Sequence, residues 1–301
     1  MLYDTFIYYN EIEMLELRLQ TLNHVVDYFV IVEANRTFAG NERAFDFPLH
    51  QKLVEAYQAK IIYVQIEDMP TTPNPWEREH HQRNCIMRGL QNCGPEDVIL
   101  ISDADEIPNP QAIASLLASD EGQRVLEKYP IAFDQRNYYY FVNCAERKFW
   151  HGTMAVKYRN ITSPQKIREY RERVPRIRQG GWHFSYLGGV RRIIDKLQSY
   201  SHQENNTPQK TTEKFIRQCI EGGAADIHNN SGAKYSFVPL DSSYPATMET
   251  LIEKYPYLYH DAENLADPAT AYPPQPGHLF YNYLRWYWYL MKCRLASKEP
   301  F

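Results

Sequence analysis

Val98-Ile99-Leu100-Ile101-Ser102-Asp103-Ala104-Asp105-Glu106-Ile107-Pro108 joins a short aliphatic run to a cluster of acids. Four consecutive apolar residues bounded by polar ones read as a strand buried on both faces, the pattern of a parallel sheet. The Asp-x-Asp step follows at once and the run stops at Pro108. This spacing places both carboxylates at the C-terminal edge of the sheet, where open α/β sheets bind ligands. Clustered carboxylates repel one another unless a cation sits between them, and hard divalent ions such as Mg²⁺ and Mn²⁺ prefer such oxygens. Mg²⁺ is commonly held by one or two carboxylates plus substrate phosphates, so a metal-bound diphosphate is the expected cargo. An Asp-x-Asp triplet also occurs in ordinary turns and caps. The strand before it and a histidine downstream give it weight here.

On the N-terminal side, strands and helices alternate. Thr5 to Tyr9, Tyr28 to Val32 and Lys60 to Ile66 read as strands. Between them, Glu11 to Leu22 reads as a helix with Ile12, Leu15, Leu19 and Leu22 on one face. Leu49, Leu53 and Tyr57 mark a second helix, and Trp76 to Leu90 a third. The alternation predicts an α/β domain, a mostly parallel central sheet flanked by helices. No glycine-rich phosphate loop follows the first strand, which excludes a dinucleotide fingerprint and a P-loop. On the C-terminal side the pattern predicts a helix over Pro110 to Leu117 and extended segments over Ile131 to Val142 and Thr153 to Tyr158. Mixed, loop-rich structure follows through about Tyr186, then helices over Val190 to Tyr200 and Thr211 to Glu221. The proline-rich stretch from Val238 to Pro276 reads as wrapping loops. Leu279 to Leu295 reads as an aromatic helix that packs on the domain or a partner subunit, with peripheral membrane contact as the alternative. The expected division is a nucleotide-binding half (1–108), an acceptor and metal half (109–220), and a C-terminal wrap (221–301) on the same domain.

At 301 residues, 44% hydrophobic and 23% charged, the chain has the composition of a folded globular protein. A net charge of −4 provides no global basic field, which argues against nucleic acid as a partner. The basic run Arg168 to Arg178 reads either as a solvated face or as a place to hold phosphates. The 24 tyrosines suit stacking on sugar or base rings, and equally a core built from large side chains. Five cysteines (Cys85, Cys93, Cys144, Cys219 and Cys293), with no Cys-x-x-Cys pair, argue against a zinc site and a disulfide framework. They favour a reducing compartment, and Met1-Leu2-Tyr3-Asp4 does not open a signal peptide, so a cytoplasmic location is expected.

Downstream, Gly180-Gly181-Trp182-His183-Phe184-Ser185 sets a histidine among glycines and apolar residues. The glycines permit close backbone approach. A neutral imidazole at His183 can complete a metal shell begun by Asp103 and Asp105. The cations Arg191, Arg192 and Lys196 follow and can hold a departing diphosphate.

Taken with Phe6-Ile7-Tyr8-Tyr9-Asn10-Glu11, Val32-Glu33-Ala34-Asn35 and Arg83-Asn84, the Asp-x-Asp-Glu-Ile-Pro and Gly-Trp-His segments resemble glycosyltransferase family 17. The resemblance covers roughly residues 1 to 220. It implies a GT-A-like nucleotide-sugar fold, a divalent metal (Mn²⁺ or Mg²⁺), a UDP-sugar donor and inversion at the anomeric carbon. The donor so implied is UDP-N-acetylglucosamine, and the acceptor an oligosaccharide or glycoconjugate.

On this reading Asp105 binds the metal directly, and Asp103 either contacts the ribose or reaches the metal through water. His183 is the third ligand. Asn10 and Glu33, where the first two strands end, lie at the base and ribose, and Arg83 and Asn84 face the nucleotide. Inversion requires a general base for the acceptor hydroxyl. Glu204 is the first candidate, with Glu146 and Glu169 as alternatives. Two rival readings stay open: a sugar-nucleotide nucleotidyltransferase, which also needs paired acids and metal, and a non-catalytic glycan-binding protein, in which the aromatics matter and the acids do not.

Overall fold

The computed structural model describes residues 1–221, 227, 235–272, 280–281, 287–288 and 291. Strand β1 (Leu2–Tyr8) leads through helix α1 (Ile12–Leu22) into β2 (Tyr28–Ala34). Short helix α2 (Gln51–Val54) precedes β3 (Ile61–Ile66), and α3 (Pro75–Asn84) precedes β4 (Val98–Asp103). These four strands pair in parallel in the order β3-β2-β1-β4. All four C-terminal ends therefore meet on one edge, as the β-α alternation demands. The register aligns Ile7 with Asp103 and Tyr8 with Glu33.

Next come β5 (Glu106–Pro108), α4 (Pro110–Ala118), α5 (Asp120–Leu126), β6 (Ile131–Tyr139), β7 (Cys144–Lys157), α6 (Pro164–Glu169), β8 (Arg176–Ser185), α7 (Gly189–Ser199) and α8 (Glu213–Glu221). The chain continues through β9 (Tyr235–Phe237), α9 (Met248–Lys254), α10 (Pro268–Ala271) and β10 (Phe280–Tyr281). Strand β7 runs antiparallel beside β4, so both halves share one sheet, ordered β10-β8-β6-β7-β4-β1-β2-β3. Within the second half β6 and β8 are parallel, and β5 pairs antiparallel with β8. The result is an α/β fold whose parallel half carries its apolar residues to both faces. Leu2, Phe6, Phe29 and Leu100 pack on one side, and Tyr3, Val30, Ile99 and Ile101 on the other.

Arg18 of α1 is a structural keystone. It is fully buried and grips Asp4 with two contacts of 2.6 Å. Its remaining nitrogen donates to the carbonyls of Asp103 (3.1 Å) and Glu106 (2.7 Å), fastening the turn after β4 to α1. Breaking one member of a buried pair leaves an uncompensated charge, at a cost of about 3–5 kcal/mol. Arg18→Met is expected to lose that much stability in denaturant unfolding. Asp4→Asn in the same background is expected to recover part of it. A loss below about 1 kcal/mol would show that the pair does not hold the turn.

Three elements depart from the sequence expectation. The second helix is two 3₁₀ turns, Phe47–His50 and Glu55–Lys60, around the single turn of α2. Leu49, counted toward its apolar face, is 77% exposed. The third helix ends at Asn84 and passes into a 3₁₀ turn, because Gly89 packs on β2: a Cβ there would lie 2.4 Å from Val30. The proline-rich segment is not loop alone. Helix α9 docks on α1, where Lys254 and Tyr255 bond Glu16 at 2.8 and 2.9 Å. Most of the expected aromatic helix from Leu279 to Leu295 lies outside the described residues. Its first described part, Phe280–Tyr281, is strand β10. Among the described residues no helix is long and apolar enough to cross a membrane.

Candidate active site

The C-terminal edge of the parallel half opens into a cleft of about 850 Å³. Its floor is the turn from β4 to β5, and β8 and α7 close one wall. Strand β5 reaches β8 because of Gly181, which has φ +132° and whose Cβ would lie 2.1 Å from the Ile107 carbonyl oxygen. This is the close approach expected of the glycine pair. It brings His183 opposite Glu106 and beside Asp105.

The three acids of the turn have different partners, with Arg168 shared by Asp103 and Glu106. Glu106 is sealed from solvent and accepts two contacts of 2.8 Å from Arg168, one of 2.6 Å from the Trp150 indole and one of 2.8 Å from the Asp103 amide. Asp103 is bound by Arg83 at 2.9 Å and by Arg168 at 3.0 Å, one guanidinium on each oxygen. Burial alone would raise the Asp103 pKa, but these two guanidiniums outweigh it and hold the carboxyl well below the usual carboxylate range. Asp105 meets Lys196 at 2.9 Å through Oδ2, and its Oδ1 lies 3.7 Å from His183 Nε2.

His183 is buried, and burial lowers its pKa against the opposing pull of Asp105. Neutral imidazole keeps one N–H. Nδ1 lies 2.6 Å from Asn137 Oδ1, and the other end of that amide donates from Nδ2 to Glu146. The hydrogen bonding thus assigns the proton to Nδ1 and leaves the Nε2 lone pair facing the Asp105 carboxylate. Two acceptors aimed at one another form an electron-rich notch that a divalent cation fits. Asp103 does not join it, since both of its oxygens are already held by arginines. Among the described residues no three His, Cys, Asp or Glu side chains converge as a ligand set. The protein therefore offers two donors, Asp105 and His183, and phosphate oxygens would complete the shell.

Other expected site residues are dispersed. Lys196 and Arg83 line the cleft, as do Glu169 and Glu204 at its rim. Glu204 is paired with His202 at 2.6 Å, and Glu169 accepts from Gln165 at 3.2 Å. Asn10 lines a small side crevice together with Glu11, Asp105 and Lys196. Glu33 is a correction. It is fully buried and accepts from the Asp46 and Phe47 amides (2.6 and 3.1 Å) and the Tyr63 hydroxyl (2.7 Å), beside Arg43 at 2.9 Å. It tethers the segment after β2 and does not line the cleft. Asn84 is another: its Oδ1 accepts from Ser163 Oγ (2.8 Å) and the Gln165 amide (3.1 Å), joining α3 to α6 away from the cleft. Glu146 lies behind His183 and does not line the cleft.

Several residues of the site escaped sequence reading. Arg168 is buried in the acid cluster, neither solvated nor free to hold phosphate. Glu11 lines the cleft, and burial together with nearby Asp105 raises its pKa, opposed by Lys196. Trp150 stacks on His183 with centroids 4.7 Å apart, and the Arg171 guanidinium lies 4.7 Å from the Trp150 ring. Polar residues inside an otherwise buried strand, Asp134 to Asn137, were the available signal for Asn137.

The depressed Asp103 pKa has a definite sign. Its folded value lies below the unfolded value of about 3.9, so its stabilisation is complete above about pH 5 and is lost as pH falls through 4 and lower. Thermal midpoints measured from pH 7 to 2.5 in metal-free buffer are expected to fall less steeply for Asp103→Asn than for wild type. Parallel acid limbs would contradict the ion pairs.

The family model described as "Glycosyltransferase family 17" matches residues 1–255. The chain belongs to glycosyltransferase family 17. The curated proteins named beta-1,4-mannosyl-glycoprotein 4-beta-N-acetylglucosaminyltransferase from Homo sapiens and Rattus norvegicus are 30% and 25% identical to it, each over 85% of this chain. The chain spans about half the length of these relatives, 54% and 53%. Among solved structures, glucosyl-3-phosphoglycerate synthase from Mycobacterium tuberculosis, in complex with Mn²⁺, UDP and phosphoglyceric acid, aligns over 83% of this chain and 91% of its own at 12% identity, with a TM-score of 0.31. The family match spans β1 to the end of α9 and so contains every residue of the cleft floor.

Proposed function

We propose that this family 17 chain is a metal-dependent inverting glycosyltransferase that moves a sugar, N-acetylglucosamine first among candidates, from a UDP-sugar to a glycan hydroxyl. The observation that carries the reading is the notch between Asp105 Oδ1 and His183 Nε2, 3.7 Å apart on the floor of an 850 Å³ cleft. The names of the curated relatives support the choice of sugar.

Asp105 and His183 would hold a divalent ion, which when bound neutralises charge developing on a departing diphosphate. Lys196 stands beside the same carboxylate, and Asp105 and Glu11 keep it protonated against the cost of burial. It is placed to turn from Asp105 toward a diphosphate oxygen. Trp150 and Tyr139 line the cleft with aromatic surface suited to a sugar or base ring. Glu204, oriented by His202, is the first choice to take the acceptor proton, with Glu169 as the alternative.

The test is a panel of UDP-sugars incubated with the protein, with and without Mn²⁺, and followed for UDP release. Metal-dependent release from UDP-N-acetylglucosamine above the other donors is expected. With a glycan acceptor, the anomeric proton coupling of the product is expected to report the inverted linkage. Release from no donor, together with glycan binding, would replace the transferase reading with a glycan-binding one.

A further inference from the structure

Four polar residues lie in one row across the sheet: Glu146 on β7, Asn137 on β6, His183 on β8 and Glu106 on β5. Register pairs Glu146 with Asn137, Asn137 with His183, and His183 with Glu106. Asn137 and Glu146 sit behind His183, away from the cleft, and both are buried. Buried amides and carboxylates inside a sheet carry a desolvation cost, so their hydrogen bonding has to offset it.

Here it also sets a proton. A carboxylate accepts only, so Glu146 takes the Asn137 Nδ2–H and prevents the amide from rotating end for end. Asn137 must then present Oδ1 to His183 Nδ1, which must carry hydrogen. Without this chain, His183 would be free to adopt the other tautomer. Its Nε2 would then carry hydrogen toward Asp105 Oδ1, 3.7 Å away, and the notch would lose the lone pair that a cation needs.

We propose that Glu146 and Asn137 are positioning residues that lock His183 in its Nδ1–H tautomer and so keep Nε2 open as a ligand for the divalent cation. The inference deepens the transferase reading and rests on it for the identity of the ligand. The tautomer itself is a property of the metal-free protein, so the two can fail separately.

The experiment is ¹⁵N–¹H correlation of the histidine ring nitrogens in metal-free protein at neutral pH, with His183 assigned through His183→Gln. Wild type is expected to show the Nδ1–H form. Asn137→Ala is expected to move His183 to Nε2–H, and Glu146→Leu to move it in the same direction by releasing the amide. Glu146→Gln is expected to give a mixture of the two forms, because its amide can donate to Asn137 as well as accept from it and no longer forbids the flip. Nε2–H in wild type, or Nδ1–H retained in both Asn137→Ala and Glu146→Leu, would overturn the proposal. If Asn137→Ala does not fold, Glu146→Leu read against wild type carries the same comparison.

Mn²⁺ titration followed by electron paramagnetic resonance in the presence of UDP is the second readout. Loss of an orienting partner of a metal-bound histidine typically weakens affinity about 10–100-fold, and that loss is expected in full for Asn137→Ala and Glu146→Leu and in part for Glu146→Gln. Unchanged Mn²⁺ affinity in variants whose tautomer has switched would overturn the link to the metal. Failure of wild type to bind Mn²⁺ with the Nδ1–H tautomer present would instead overturn the transferase reading.

Discussion

Asp105→Asn is expected to slow sugar transfer by about 10²–10³-fold while leaving the fold intact. The variant keeps side-chain shape and loses the one acid of the turn that has an oxygen free for a cation. Stabilisation of a departing phosphate by a bound cation is worth several kcal/mol, and each 1.4 kcal/mol is about tenfold in rate. Lys196 would lose its partner but sits 28% exposed, so water takes up most of that loss. Asp103→Asn offers the contrast. Its carboxylate already neutralises Arg83 and Arg168, so its defect is expected first in stability and then in activity. Steady-state rates at saturating Mn²⁺, with circular dichroism as a fold control, make the comparison. Asp105→Asn within about threefold of wild type would remove Asp105 from the chemistry.

Arg168→Met is expected to be among the most damaging substitutions outside the hydrophobic core. Arg168 is 3% exposed, meets Glu106 through two nitrogens, reaches Asp103, and donates to the Gly152 carbonyl at 2.6 Å. Its removal leaves Glu106, which has no solvent exposure, as an uncompensated buried charge. Losses of this type run to about 3–5 kcal/mol. At about 2–4 °C per kcal/mol, the thermal midpoint is expected to fall by roughly 6–20 °C. Glu106→Gln placed in the same background should return part of the loss, because a neutral amide costs less to bury than a lone carboxylate. A midpoint within about 2 °C of wild type would show that the cluster is solvated and that Arg168 is an ordinary surface cation.

Residues that announce themselves by local pattern were legible in the sequence. The aliphatic run before Asp103 gave β4, and a strand ending in acids can point them only at the sheet edge. Gly180 and Gly181 marked the close approach that brings His183 to Asp105. Pairings between distant segments were not legible. Arg168 meets Glu106 across 62 positions, and nothing in a basic run tells a buried guanidinium from a solvated one. Glu33 ends β2 much as Asp103 ends β4, but the chain at Asp46 and Phe47 folds over it and converts a cleft-edge position into a buried tether. Glu146 was an attractive base by residue type alone. Only the register of three strands shows that it faces an asparagine amide behind His183. The helix marked by Leu49, Leu53 and Tyr57 forms as 3₁₀ turns around one α turn, with Leu53 and Tyr57 against the core, but spacing at three points does not supply a buried face for Leu49.

Calorimetric titration of UDP into the protein, with and without Mn²⁺, tests most directly whether Asp105 and His183 hold a cation that grips a nucleotide diphosphate. Binding that is at least tenfold tighter with Mn²⁺, and that loses this gain in Asp105→Asn, is the expected result. Equal UDP affinity with and without metal, or a metal effect that survives Asp105→Asn, would contradict it.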